Sequence, residues 1–126
     1  MSGVTRAGSA HDVVAELLDR WRRAFEEHRA ADLAALFTED ALFQGIGPRL
    51  RVGPAEVFGY YDAVPEGTRV TVEILRAHRL HEGIVGGFAD VTFTAPTGET
   101  TPIRLSVVAR RSGGGWLIRQ YHAAAR

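Results

Sequence analysis

Apolar residues near the start of the chain recur at helical spacing. The positions i, i+3, i+4, i+7 and i+11 are held by Val14, Leu17, Leu18, Trp21 and Phe25. Side chains at this spacing share one face of an α-helix, and the residues between them include many charged groups. The pattern therefore predicts an amphipathic helix of about four to five turns.

Cap and turn residues indicate where the helices begin. Ser9 is suited to cap the first helix, and Asp32 is suited to cap a second, short helix. Gly53 and Pro54 predict the start of a third helix, because proline is favoured at the first helical position, where its missing N–H costs nothing. A strand is predicted between the second and third helices, over residues 41–46.

After Gly67 the apolar period changes to two, which is typical of strands. The predicted strands cover residues 69–80, 84–95, 101–111 and 116–124. Short turns rich in glycine separate them, so consecutive strands are expected to pair as antiparallel hairpins. Helices followed by hairpins predict an α+β fold, with the helices laid on one face of a curved sheet.

Length and composition narrow the class of protein. The chain has 126 residues, which favours one domain over residues 9–126, preceded by a disordered arm over residues 1–8. Its 15 basic and 15 acidic residues give no net charge to attract nucleic acid, and the absence of cysteine excludes disulfides and thiolate chemistry. No apolar run approaches the ~20 residues of a membrane span, and none indicates a secretory signal. We therefore expect a cytoplasmic protein with neither nucleic-acid nor membrane partners.

Three segments resemble the SnoaL-like group of the nuclear transport factor 2-like superfamily. The segment LFTEDALFQG resembles its helix-to-strand junction, VGPAEVFGYYDAV its third helix, and VVARRSGGGWLIRQYHAA its closing hairpin. The closing hairpin is also similar to the association domain of calcium/calmodulin-dependent kinases. The chain resembles small actinobacterial SgcJ-type proteins over residues 10–124.

This resemblance implies a cone-shaped, curved, mostly antiparallel sheet, with three helices from the N-terminal half packed on its concave face. It also implies a central pocket and a homodimer. The fold hosts isomerases, cyclases, dehydratases, hydrolases and binding modules, so it implies no single function. In such a cone we expect apolar pocket walls from Trp21, Phe25, Phe43 and Tyr61.

The last predicted strand carries the first candidate for chemistry. By the two-residue period, Gln120 and His122 share a face with Trp116. If Trp116 faces the core, both point into the cone, where His122 would act as a general acid–base or donate to an oxyanion. The alternative is a core histidine bonded to a backbone carbonyl.

The strand over residues 101–111 has one wholly apolar face and one that carries Arg104 and Ser106. Either the apolar face is the core and Arg104 is solvated, or the apolar face meets a dimer partner and Arg104 enters the pocket. The kinase-domain resemblance favours the second interpretation, because the inward arginine of that family falls on Ser106, on the same face as Arg104. An arginine there would bind a ligand carboxylate or a neighbouring acid.

Asp90 is a second candidate proton acceptor. Facing the cone, it would pair with Arg104 or serve as a base with a raised pKa. Facing solvent, it would discourage edge pairing of the sheet.

Other sites are disfavoured. His78 and His81 lie three apart in a predicted strand and point to opposite faces, so we expect no metal site. The sequence has no dinucleotide or Walker fingerprint, and we expect no cofactor. The segment around Asp40 resembles that of ketosteroid isomerases, but the position of their base falls on Gly45, which cannot take a proton.

Three functions therefore stay open. The first is a cofactor-independent cyclase or isomerase that acts on polyketide-like or aromatic substrates in secondary metabolism, with His122 or Asp90 moving the proton. The second is a protein that binds a hydrophobic or carboxylate-bearing small molecule without chemistry, through the aromatic walls with Arg104, Ser106 and Gln120. The third is a homodimeric assembly module.

Overall fold

The computed structural model describes residues 9–126. Helices and short strands come first along the chain, and four long strands follow. They are α1 (Ala10–Glu26), α2 (Ala30–Ala34), β1 (Phe37–Gln44), β2 (Arg51–Val52), α3 (Gly53–Asp62), β3 (Arg69–His81), β4 (Ile84–Thr94), β5 (Thr100–Ser112) and β6 (Gly115–Ala125). The α+β class and the four closing strands are thus confirmed. The predicted arm over residues 1–8 lies outside the described residues.

The six strands form one curved, unclosed sheet in the order β2-β1-β6-β5-β4-β3. Strands β3 to β6 are consecutive antiparallel hairpins, and β1 lies beside β6 in parallel. The helices cover one face, whose side chains join the helices in a single apolar core. None of the helices among residues 9–126 is long and apolar enough to cross a membrane.

Helix α1 follows its sequence pattern closely. The Ser9 side chain caps it by accepting a hydrogen bond from the Asp12 N–H at 3.0 Å, and its apolar stripe is buried. At its other end His28 has a positive φ of 55°, and the Arg29 N–H donates to the Ala24 carbonyl at 2.9 Å. This tight turn leads directly into α2.

The first strand and second helix differ from the prediction. Asp32 lies inside α2 and pairs with the Arg29 guanidinium, so it does not cap the helix as expected. Strand β1 begins at Phe37 and not at residue 41, because Phe37 pairs with Ile118 of β6. The two-residue strand β2 was not predicted.

The apolar face of β5 faces the helices. Its inward residues are all buried, namely Ile103, Leu105, Val107 and Ala109. The register between β4 and β5 is regular, so the alternate residues of both strands point to the outer face of the sheet. The inward orientation of these apolar residues also determines which face of the sheet carries Arg104 and Ser106.

Helix α1 lies very close to the sheet at Gly87 of β4. A Cβ atom at Gly87 would stand 2.9 Å from the Arg76 carbonyl oxygen and 3.2 Å from a methyl group of Val14. The backbone cannot move aside without a large cost in free energy. The close contact between α1 and β4 therefore requires a residue without a side chain at position 87.

We expect Gly87→Ala to lower the free energy of unfolding by about 1–3 kcal/mol, the usual cost of overpacking a filled core. Urea unfolding measures the change. The matched control is Gly114→Ala in the β5–β6 turn, where a Cβ would meet nothing within 4 Å. Equal stability of the two variants would contradict the close approach of α1.

Candidate functional site

An aromatic cluster fills the space between the sheet and the helices. It contains all three tyrosines of the chain. Its members are Trp21, Phe25, Phe37, Phe43, Tyr60, Tyr61, Phe93 and Tyr121. Phe43 stacks on Tyr121 with the ring centroids 4.5 Å apart and the planes at 14°, while most other pairs meet edge to face or tilted. Such a network fixes ring positions because each ring limits the rotation of its neighbours.

A cavity of about 180 Å³ opens beside this cluster. Its lining comes from α1, the β1–β2 loop, α3 and the segment after it, β4, the β4–β5 turn, β5 and β6. The lining residues are Phe25, Ile46, Tyr60, Tyr61, Val64, Pro65, Thr68, Phe93, Ala95, Glu99, Thr101 and Tyr121. Because Ile46, Pro65, Glu99 and Thr101 are exposed, they border its mouth, while the buried Phe25, Tyr61 and Tyr121 form its floor.

A hydrogen bond and ring packing hold the tyrosines at the floor. The Trp21 indole N–H donates to the Tyr61 hydroxyl at 2.8 Å, and the ring of Tyr121 packs against Trp21 with the centroids 6.2 Å apart. Burial raises the pKa of Tyr61 and the pKa of Tyr121 well above the ordinary tyrosine value. Both phenols therefore stay neutral over the physiological pH range and do not act as bases.

Tyr60 closes the side of the cavity near Gly45. Its hydroxyl accepts a hydrogen bond from the Ile46 N–H at 2.9 Å, and burial raises its pKa. A Cβ atom at Gly45 would overlap the Tyr60 ring. The space in front of Gly45, where the resemblance to ketosteroid isomerases puts their base, is thus occupied by the Tyr60 ring in this protein.

Of the predicted walls, Phe25 and Tyr61 line the cavity. Trp21 and Phe43 are both 0% exposed and lie behind these residues, where they support the floor without bordering the free space.

Gln120 and His122 lie on the outer face of the sheet, and the prediction that they point into the cone is wrong. Val108 pairs with Gln120 but Ala109 pairs with Ile118, so Arg119 is an extra residue in the β5–β6 ladder. Such a β-bulge reverses the alternation beyond it. Hence Ile118 points inward, but after the bulge Tyr121 and not His122 does so.

Arg104, Ser106 and Asp90 also lie on the outer face, so the interpretation that placed Arg104 in the pocket is wrong. Burying the apolar alternate residues of β5 necessarily turns Arg104 and Ser106 outward. Arg104 donates two hydrogen bonds to the Asp90 carboxylate, at 2.6 and 3.1 Å. This pairing, with the nearby Arg126, lowers the pKa of Asp90, which is the opposite of what a base requires.

The outer face brings some of these residues together. Ser106 stands opposite His122 in the β5–β6 ladder, next to Phe88 of β4. No hydrogen bond joins Ser106 and His122 in the part of the chain that the structure describes, so they do not form a nucleophile–base pair. Residues 9–126 also contain no cluster of three or more side chains able to hold a metal ion.

The chain matches a known family over nearly its whole length. A family model described as a SnoaL-like domain covers residues 14–125. The chain belongs to the SnoaL-like family. No curated protein matches it significantly.

Solved structures similar to this SnoaL-like protein share the nuclear transport factor 2-like fold, as the resemblance implied. A domain of unknown function with a cystatin-like fold from Nostoc punctiforme has a TM-score of 0.84 at 18% identity, covering 98% of this chain and 80% of that one. A Xanthomonas campestris protein assigned as a calcium/calmodulin-dependent protein kinase II association domain has a TM-score of 0.78 at 19% identity, and the match covers 96% of this chain and 91% of that one. A Novosphingobium aromaticivorans protein assigned as a scytalone dehydratase has a TM-score of 0.81 at 14% identity, and the match covers 92% of this chain and 83% of that one.

Several lining residues of this SnoaL-like protein were missed from the sequence. Tyr121 and Ala123 are apolar where Gln120 and His122 are polar, and this contrast within residues 120–123 is the sequence signal of the bulge. Phe93 and Glu99 gave no such signal, because their place at the cavity depends on how the β4–β5 hairpin lies against α1 and α3.

The Asp90–Arg104 pair predicts a pH-dependent stability. Asp90→Asn should destabilise the protein at neutral pH because it removes the ion pair. The folded-state pKa of Asp90 is lowered, so its contribution is complete above the unfolded-state pKa of about 3.9 and is lost as the pH falls through the folded-state value.

We therefore expect the difference in free energy of unfolding between wild type and Asp90→Asn to shrink as the pH falls below about 4. Urea unfolding at a series of pH values measures it. Asp62→Asn, at an exposed residue at the end of α3, should change stability little throughout. A difference for Asp90→Asn that is constant with pH would contradict the ion pair.

Proposed function

We propose that this SnoaL-like protein binds a small, flat, mostly apolar molecule in the aromatic cavity. The observation that carries the proposal is a space of about 180 Å³ walled by the rings of Phe25, Tyr60, Tyr61, Phe93 and Tyr121. An apolar cavity of about 150 Å³ in another protein holds benzene. A one- or two-ring aromatic compound therefore matches the volume of this cavity.

The charge around the cavity favours a neutral ligand. Its described lining residues include the carboxylate of Glu99 at the mouth and no arginine or histidine. A ligand carboxylate would lose its hydration at the apolar floor and would approach Glu99 without a cation to pair with. Of the two ligand classes expected from the sequence, the hydrophobic one fits this site.

Binding without chemistry is the function that the geometry supports best. The tyrosines stay protonated because of burial, and Glu99 is the one carboxylate among the described lining residues. His122 and Asp90 lie across the sheet. If the protein is instead a cyclase or isomerase, Glu99 is its general base. We retain a cytoplasmic role in secondary metabolism as part of this proposal.

Blocking the cavity tests the proposal. Ala95 lines the cavity, so the larger ring in Ala95→Phe should fill its space and abolish binding. Isothermal titration with indane is expected to give saturable binding to wild type and none to Ala95→Phe. The control Ala31→Phe adds the same ring at an exposed site on α2 and should bind like wild type. If wild type shows no saturable binding of indane or of related one- and two-ring compounds, the proposal is wrong.

We also propose that two copies of the chain associate through the outer face of the sheet. Phe88 is 50% exposed there, and Leu80 is 60% exposed at the end of β3. Both border a shallow, mainly apolar depression that continues over Gly86 and Val108. Exposed apolar patches of this kind mark interaction sites.

The proposed occupant of this patch is a second copy related by a two-fold axis. Such an axis sets the same patch against itself, so Phe88 would meet the depression of the partner. The Asp90 carboxylate is already paired with Arg104, so it brings no unpaired acid to the contact. The assignment of the Xanthomonas campestris relative as an association domain agrees with this proposal.

Light scattering tests the association. Wild type should have twice the chain mass of 13.7 kDa, and Phe88→Arg should return to that mass, because a buried unpaired charge opposes the contact. Phe58→Arg is the control, since Phe58 is 40% exposed on α3 and away from the sheet. A monomeric wild type, or a dimer that survives Phe88→Arg and not Phe58→Arg, would exclude this interface.

A further inference from the structure

The register of the β4–β5 hairpin places a carboxylate on the helix side of the sheet. Ile103 of β5 is buried against the helices. Because side chains alternate along a strand, Thr101 and Glu99 come next on that same side. Phe93, which lines the cavity, pairs with Thr101 across the ladder. The Ala95 N–H donates to the Glu99 carbonyl at 2.8 Å, so the register continues to the end of the hairpin, where Glu99 faces the same side as the aromatic floor.

The Glu99 carboxylate has no cation to pair with inside the described part of the chain. Its side chain forms no hydrogen bond or ion pair with another residue among 9–126. Arg69 lies beside Thr94 at the same end of the sheet. However, the next residue, Val70, is the buried one, so Arg69 belongs to the outer face. Glu99 is thus left free to pair with a group that the protein does not supply.

A single carboxylate at the rim of an apolar cavity favours one sign of charge at the outer end of a ligand. An anion is repelled there, whereas a cation is attracted, and the apolar lining makes both effects stronger than between two fully hydrated charges. An ammonium group suits one carboxylate, because it is compact and donates up to three hydrogen bonds from a single atom. The Thr101 hydroxyl, on the same side as Glu99, offers a second acceptor.

The rest of the cavity restricts where this charge can lie. Phe25, Tyr61 and Tyr121 are buried at the floor, and an ammonium group there would lose its water without gaining a charged partner. The mouth keeps contact with water, since Glu99 and Thr101 are exposed. A ligand that fits both ends has a neutral, flat ring system for the floor and one amino group at its outer end.

We propose that the aromatic cavity binds a one- or two-ring aromatic compound that carries an aliphatic amino group, with the rings against the floor and the ammonium group at Glu99. This inference rests on the proposed binding function and specifies its ligand class. The part of the ligand inside the cavity stays neutral, in agreement with the apolar lining, and the charge stays at the mouth. Glu99 also excludes compounds that carry an acid in the same place.

Three compounds with one ring system test this ligand class. They are indane, 2-aminoindane, which is a cation at neutral pH, and indane-2-carboxylate, which is an anion. Isothermal titration of wild type should show 2-aminoindane binding more tightly than indane-2-carboxylate, by about tenfold when attraction in one complex and repulsion in the other are combined. Equal binding of the two charged compounds, or tighter binding of the anion, would overturn the inference.

The variant Glu99→Gln isolates the charge, because glutamine has nearly the same size and keeps one acceptor oxygen. We expect it to bind 2-aminoindane about fivefold more weakly than wild type does, and to bind indane equally well. Glu82→Gln makes the same change in the exposed β3–β4 turn, at the other end of the sheet, and should leave both affinities unchanged. If Glu99→Gln binds 2-aminoindane as tightly as wild type, the inference is wrong.

Salt dependence gives a second readout that needs no variant. Salt screens an ion pair at the protein surface, but it does not weaken the burial of an apolar ring. The affinity of wild type for 2-aminoindane should therefore fall between about 0.01 M and about 1 M sodium chloride, while its affinity for indane should not. An affinity for 2-aminoindane that is independent of salt would contradict the ion pair with Glu99.

The outcomes separate this inference from the proposed function. If none of the three compounds binds to wild type, the cavity does not hold such ligands and the proposed function itself fails. If indane binds but 2-aminoindane has no advantage over indane-2-carboxylate, the cavity works as proposed and Glu99 does not select a cation.

Discussion

The hydrogen bond from the Trp21 indole to the Tyr61 hydroxyl joins the three layers on which the site depends. Trp21 belongs to α1, Tyr61 to α3, and Trp21 also packs against the ring of Tyr121 in β6. Because the bond is buried, breaking it would leave a donor without water or protein as a partner. It therefore fixes how α3 lies over the sheet, and with it the shape of the aromatic floor.

The extra residue of the β-bulge in β6 determines which side chains face the helices and which face outward. The bulge at Arg119 turns Tyr121 toward the helices and His122 toward the outside. The inner face is consequently neutral and aromatic, whereas the outer face carries the ion pair of Asp90 and Arg104. This separation explains why none of the arginines among residues 9–126 lines the cavity.

Much of the fold could be predicted from the sequence, and much less of the site. The apolar stripe through Val14 and Trp21 and the glycine-rich turns between the strands are local signals, and both gave the correct elements. The inward face of β5 was left undecided, since either choice satisfied its alternation until the burial of Leu105 and its neighbours in the core placed Arg104 outside. The face of His122 was wrong because a bulge depends on the pairing of two strands. Local patterns therefore locate elements, while the site depends on contacts between distant segments.

The overlap between a side chain at Gly45 and the ring of Tyr60 has an evolutionary consequence. A side chain at residue 45 would require the Tyr60 ring to move, so the two positions are coupled. A lineage that acquired a side chain at residue 45 would have to displace or replace that ring, and either change would break the hydrogen bond that the Tyr60 hydroxyl accepts from the Ile46 N–H. In this protein the residue at position 60 therefore determines which substitutions at position 45 natural selection can retain.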